Sequence, residues 1–140
     1  MTRIVTRSVA ETEALGSRLA AQCCAGTVVA FFGGLGMGKT AFVRGMAKVL
    51  SPQAEVSSPT FALVNDYGGV PSLVHFDMYR VTGWEDLDTT GFFDYLDAGA
   101  VLAVEWSENI EAALPAEAIH VTFERLSETE RAITVEGVAL

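Results

Sequence analysis

Thr27–Phe32 is an unbroken run of β-branched, small and aromatic residues, and GGLGMGKT (Gly33–Thr40) follows it directly. Apolar character without polar alternation suits a strand buried on both faces of a parallel sheet. Beyond the glycines, Phe42, Met46, Val49 and Leu50, with Val43 beside them, recur at helical spacing. They form one stripe of an amphipathic helix that starts near Lys39 and stops before Pro52. Strand, glycine loop and helix in immediate succession demand a sheet covered by helices, an α/β architecture. Ordering four glycines is entropically costly, and Lys39 stands among them with no local carboxylate. An anion from outside the chain would offset that cost.

Gly33-(x)4-Gly38-Lys39-Thr40 matches every defined position of the P-loop pattern. Glycines let the backbone curl until successive amides point inward at phosphate oxygens. The helix that follows turns its unsatisfied amides and positive dipole end to the same phosphates. Lys39 adds a full charge to the terminal phosphates, and the Thr40 hydroxyl is placed to ligate Mg²⁺. The expected nucleotide contacts are therefore Gly33, Gly34, Leu35, Gly36, Met37, Gly38, Lys39, Thr40 and Ala41. Mg²⁺ also needs a carboxylate near Thr40, at the end of an apolar strand beside the P-loop strand. Ser72–Asp77 and Val101–Glu105 both end in one. Pattern alone does not rank Asp77 and Glu105.

A chain of 140 residues, half of them apolar, suits one domain with one core. No stretch approaches the roughly 20 continuous apolar residues that span a bilayer. The N-terminal segment is interrupted by charges every few residues, unlike a secretory leader, so a cytoplasmic location is expected. Cys23 and Cys24 are sequence neighbours and staple nothing; they read as small residues at a helix end in a reducing compartment. The net charge of −9, with nine basic residues scattered along the chain, disfavours direct contact with a phosphate backbone. A protein partner fits better than nucleic acid or membrane.

Residues 3–7 read as a short edge strand, and Ser8 to Glu11 as a capping box opening a helix to about Cys24. Residues 61–67 and 72–77 read as a hairpin turning at Gly68-Gly69. Two short helices are expected on either side of Gly91. Strands are expected over 100–105, 118–123 and 132–138, with a brief helix over 107–114. The whole is a single P-loop NTPase domain over 1–140, with a mostly parallel central sheet, flanking helices and an antiparallel hairpin.

With those residues placed, the chain resembles the TsaE (YjeE) family, small bacterial P-loop ATPases needed to make threonylcarbamoyladenosine in tRNA. The likeness covers nearly the whole length. It rests on GGLGMGKT, SSPTFALVNDY (Ser57–Tyr67), HFDMYRV (His75–Val81), the run from Gly91 to Trp106 ending in Glu-Trp, and the helix over Glu11–Gly16. The resemblance implies ATP and Mg²⁺ as cofactors. It makes Lys39, Asp77 and Glu105 catalytic, with Thr40 and Glu105 on the metal and Asp77 acting through water or on the attacking water. It places Ser58 and Thr60 in a switch-like loop near the γ-phosphate, and Trp106 beside the nucleotide. Two positions depart from the family pattern: Gly34 replaces an acidic residue and Met37 an alanine. Ser107 stands where a proline is common.

Remaining residues carry competing readings. Ser8 and Arg131, from the chain ends, are candidates for the base pocket. Arg80 is either a phosphate contact or a partner of Asp86 or Asp88. His75 reads as a packed strand histidine, His120 as solvent-facing, and Trp84 as a helix-start packing residue or a partner contact. The resemblance implies work with a TsaB–TsaD-type protein pair and contact with tRNA only through that complex; a monomer alone is one reading, and the sequence leaves the oligomeric state open. The pair carries the transfer to adenosine 37 of tRNAs reading ANN codons. The switch-like loop and the acidic Trp84–Asp94 segment would form the contact surface. Two other readings use the same loop: a small-molecule kinase, and a nucleotide-gated binding module without significant hydrolysis.

Overall fold

The computed structural model describes residues 1–33, 38–56 and 64–140. Seven strands and four α-helices are found among them: β1 (Thr2–Thr6), α1 (Val9–Ala20), β2 (Val28–Phe32), α2 (Lys39–Leu50), β3 (Val64–Gly69), β4 (Ser72–Asp77), α3 (Trp84–Thr89), α4 (Phe92–Asp97), β5 (Val101–Glu105), β6 (Ile119–Arg125) and β7 (Arg131–Glu136). A 3₁₀-helix over Ser107–Ala113 takes the place of the expected brief α-helix. The strands form one mixed sheet in the order β1-β7-β6-β2-β5-β4-β3. Its centre, β6-β2-β5-β4, is parallel, and antiparallel partners border it on both sides. This is the expected α/β class, with the glycine-loop strand β2 in the middle.

Alternation along the central strands feeds two cores. Val29, Phe31, Leu73, Val101 and Ala103 pack with Leu15, Leu19, Phe42, Val43 and Met46 of α1 and α2. Val28, Val74, Phe76, Leu102 and Val104 face the other way, onto Met78, Leu87, Phe92 and Ile110. Burial on both faces explains why β2, β4 and β5 read as continuous apolar runs.

The helix pair α1–α2 is unusually close. A Cβ at Gly16 would collide with the Phe42 carbonyl, and one at Gly45 with the Glu13 carbonyl. The space gained lets the Ser17 hydroxyl donate to Gly45 O at 2.7 Å. That contact fixes α2, and with it Lys39 and Thr40, against α1.

Several local expectations shift. α1 is capped by Ser8, whose Oγ accepts from Glu11 N at 3.1 Å, but the Glu11 carboxylate takes the Arg7 amide rather than that of Ser8. The helix ends at Ala20, so Cys23 and Cys24 lie beyond it, half-buried and exposed respectively. Val49 is 47% exposed; Ala41 and Ala47 occupy the buried face of α2 instead, because the stripe follows the α1 contact. The hairpin turns at Val70-Pro71, and Gly68-Gly69 belong to β3. His120 is half-buried, stacked on Phe32 with ring centroids 5.2 Å apart. Residues 61–63 of the expected strand lie outside the described residues.

Candidate functional site

β2, β4 and β5 end side by side, and their carboxyl ends are where ligands of open α/β sheets bind. Gly33 closes β2 at φ +124°, and a Cβ there would come within 2.8 Å of the Phe123 carbonyl. Only glycine fits this turn. Gly38, also left-handed, is the N-cap of α2, with no side chain capping the amides. The first turn of α2 carries no acidic residue, whereas α1, α3 and α4 each have at least one. An uncompensated positive helix end attracts an anion.

Lys39 is nearly fully buried; its Nζ donates to Gly33 O at 2.6 Å and lies 5.2 Å from the centre of the Trp106 ring. Burial pushes the Lys39 ammonium below its ordinary value, against the opposing pull of Glu105, Glu108 and Asp77. Trp106 reaches it from a left-handed backbone, φ 58° and ψ 42°, a strained conformation for a bulky residue. It also packs against Tyr79, with ring centroids 5.0 Å apart.

The two carboxylates meet. β4 and β5 run parallel with Asp77 directly opposite Glu105, so both side chains leave the sheet on the α2 face. Glu105 ends the strand next to β2, and Asp77 ends the one beyond it. Burial raises the Asp77 carboxyl above its ordinary value; a hydrogen bond from Tyr79 N (2.9 Å) opposes this, while the Glu105 charge adds to it. Asn109 Nδ2 donates to Met78 O at 2.7 Å, and Met78 N to Glu105 O at 3.0 Å. These bonds pin the chain after Asp77 to the chain after Glu105. Sequence reasoning passed over Asn109, which no motif marks.

A cavity of about 150 Å³ opens on the other side of α2, lined by Ser8, Val9, Thr12, Gly38, Ala41, Glu128, Thr129 and Arg131. It brings Ser8 and Arg131, from the two ends of the chain, beside Gly38 and Ala41 at the amino end of α2. The Arg131 guanidinium is turned to the hairpin loop, with Nη1 donating to Ser127 O at 2.8 Å and Glu130 O at 3.0 Å. Arg80 forms no ion pair with Asp86 or Asp88; Asp86 accepts from the Thr82 hydroxyl and amide instead. Gly34, Leu35, Gly36, Met37, Ser58 and Thr60 lie outside the described residues.

Residues 6–133 match the family described as threonylcarbamoyl adenosine biosynthesis protein TsaE. The chain belongs to the TsaE family. A TsaE protein of Treponema pallidum (strain Nichols) is 35% identical over 133 residues, covering 95% of this chain and 98% of the relative. The Bacillus subtilis (strain 168) TsaE is 36% identical over 129 residues, 91% of this chain and 80% of that one. Both carry the name tRNA threonylcarbamoyladenosine biosynthesis protein TsaE. The crystal structure of Bacillus subtilis YdiB superposes with a TM-score of 0.79 at 33% identity, covering 96% of this chain and 83% of that chain. The TsaE match thus spans every element of the site: β2, α2, the strand ends at Asp77 and Glu105, and Trp106.

Proposed function

We propose that this chain is the ATP-binding, ATP-hydrolysing subunit for threonylcarbamoyladenosine formation on tRNA, acting with a TsaB–TsaD-type protein pair. The observation that carries the reading is the alignment of the α2 amino end and Lys39 with two carboxylates in register on neighbouring strands. Such an arrangement offers a positive cradle for phosphates with acidic groups for the metal and the attacking water.

The residues fit Mg²⁺. Among those described there is no cluster of three or more metal-ligating side chains. Mg²⁺ needs none, because it is held through one or two carboxylates with substrate phosphates and water. Glu105 and the Thr40 hydroxyl would hold it. When bound, Mg²⁺ neutralises charge on the terminal phosphates. Lys39 leaves Gly33 O for a phosphate oxygen, exchanging a neutral acceptor for a charged one. Asp77, whose carboxyl is raised by burial, orients the water and takes its proton. Trp106 screens that side of Lys39 from solvent. The cavity at Ser8, Ala41 and Arg131 has room for one flat base rather than a whole nucleotide, since full ligand pockets are about 300 Å³ or more.

The net charge of −9 favours docking on protein. Trp84 is 61% exposed, stacked on Phe93 and flanked by exposed Glu85, Asp86 and Asp88, an aromatic anchor in an acidic rim suited to a basic partner surface. Among the described residues no helix is long and apolar enough to cross a membrane. The test is steady-state phosphate release by the protein alone, with the protein pair, and with Thr60→Ala. Slow release alone, stimulation by the pair and loss in the variant are expected. Equal rates in all three, without ATP-dependent co-elution, would rule the reading out.

A further inference from the structure

Glu105 is held by more than its strand. His75 lies within β4 with its side chain fully buried, and its Nε2 is 2.6 Å from Glu105 Oε2. In the parallel register His75 stands opposite Ala103 and Asp77 opposite Glu105, so His75 and Glu105 share the α2 face of the sheet, one same-face step apart. Ala103 is small, which leaves the imidazole room to lean forward along the sheet to the carboxylate. A ring nitrogen so close to a carboxylate oxygen carries the hydrogen, so Nε2–H donates.

The other ring nitrogen, Nδ1, is buried and has no hydrogen-bond partner among the described residues. A polar atom left idle in a core costs free energy that phenylalanine or leucine at this position would avoid. The packing requirement is thus better met by an apolar ring, and what histidine alone supplies is the bond to Glu105.

We propose that His75 is a positioning residue: its Nε2–H ties down Glu105 Oε2 and turns Oε1 toward the space between α2 and Asp77. This rests on the reading of Glu105 as a Mg²⁺ ligand. A carboxylate with one oxygen fixed loses less rotamer freedom on taking a metal with the other. Such supporting bonds around metal ligands are worth about 10- to 100-fold in metal affinity. His75 acts through Glu105 and touches no reacting atom.

The experiment compares wild type, His75→Phe and His75→Gln by titration calorimetry with a non-hydrolysable ATP analogue, in EDTA and in Mg²⁺. In EDTA all three bind alike. The affinity gained on adding Mg²⁺ falls about tenfold or more in His75→Phe and is largely restored in His75→Gln, whose amide N–H replaces the lost donor. An undiminished Mg²⁺ gain in His75→Phe, or a glutamine no better than phenylalanine, overturns the proposal. A second readout needs neither nucleotide nor a folded variant at position 75. Long-range ¹H–¹⁵N spectra of wild type show the His75 ring protonated at Nε2, with a resonance that moves in Glu105→Gln. A ring protonated at Nδ1 alone overturns the proposal. Absence of analogue binding by wild type would refute the nucleotide reading, and the ring spectrum would still decide whether His75 holds Glu105.

Discussion

Gly45→Ala sets two effects of opposite sign against each other. Replacing a helical glycine by alanine gains about 1 kcal/mol of helix propensity. Gly45, however, sits where α2 meets α1, and its new Cβ would run into the Glu13 backbone carbonyl, which cannot rotate away. Overpacking of this kind costs about 1–3 kcal/mol. Parting the helices also loses the 2.7 Å hydrogen bond from Ser17 to Gly45 O, worth about 1 kcal/mol. The net is a loss of about 2 kcal/mol from these terms. A chain of 140 residues has a melting entropy of about 0.3 kcal/mol/K, so Tm falls by about 7 °C. Nucleotide affinity falls with it, because the displaced helix carries Lys39 and Thr40. Thermal melts followed by circular dichroism read the shift. An unchanged or raised Tm, the result of propensity alone, would refute the close-packing argument.

At pH 8 iodoacetamide alkylates Cys24 before Cys23, because burial pushes the Cys23 thiol up to about 11, with Cys24 adding to it, while Cys24 is exposed; equal labelling of the two by peptide mass spectrometry would contradict this. The Thr82 hydroxyl and amide hold the exposed Asp86 carboxyl below its ordinary 3.8, so its contribution to stability is complete above that value and is lost as pH falls through the folded-state value. Thr82→Val therefore moves the Asp86 titration back toward 3.8 by NMR, and an unmoved midpoint contradicts the assignment. Glu105→Gln abolishes Mg²⁺-dependent phosphate release while retaining most nucleotide binding, and Asp77→Asn slows release with a smaller change in Mg²⁺ dependence. If Asp77→Asn alone removes the Mg²⁺ dependence, the two roles are exchanged.

Much of the site was legible because its parts are contiguous in sequence. β2, the glycines and α2 follow one another, so Gly33, Gly38 and Lys39 are located by spacing. Asp77 and Glu105 were legible as polar ends of apolar runs, though only the β4–β5 register makes them neighbours. That same register hid the His75–Glu105 bond, which joins residues 30 positions apart. Asn109 was missed for a similar reason: its partners are main-chain carbonyls of Met78 and Tyr79, which have no sequence signature. Arg131 lines the cavity, but its guanidinium binds loop carbonyls, a choice set by the hairpin's geometry. The buried stripe of α2 was misjudged at Val49 because α1 covers the glycine side of the helix, and periodicity does not say which side a neighbour will take.

In the proposed function Lys39 and the amino end of α2 hold the phosphates of ATP. Calorimetric titration of ATP·Mg²⁺ into wild type and Lys39→Ala, each checked for native circular dichroism, tests it. Wild type binds at one site per chain, and the variant, folded but lacking the ammonium beside Gly33, shows no useful binding. Equal affinity in the two proteins would contradict the assignment of this loop as the nucleotide site.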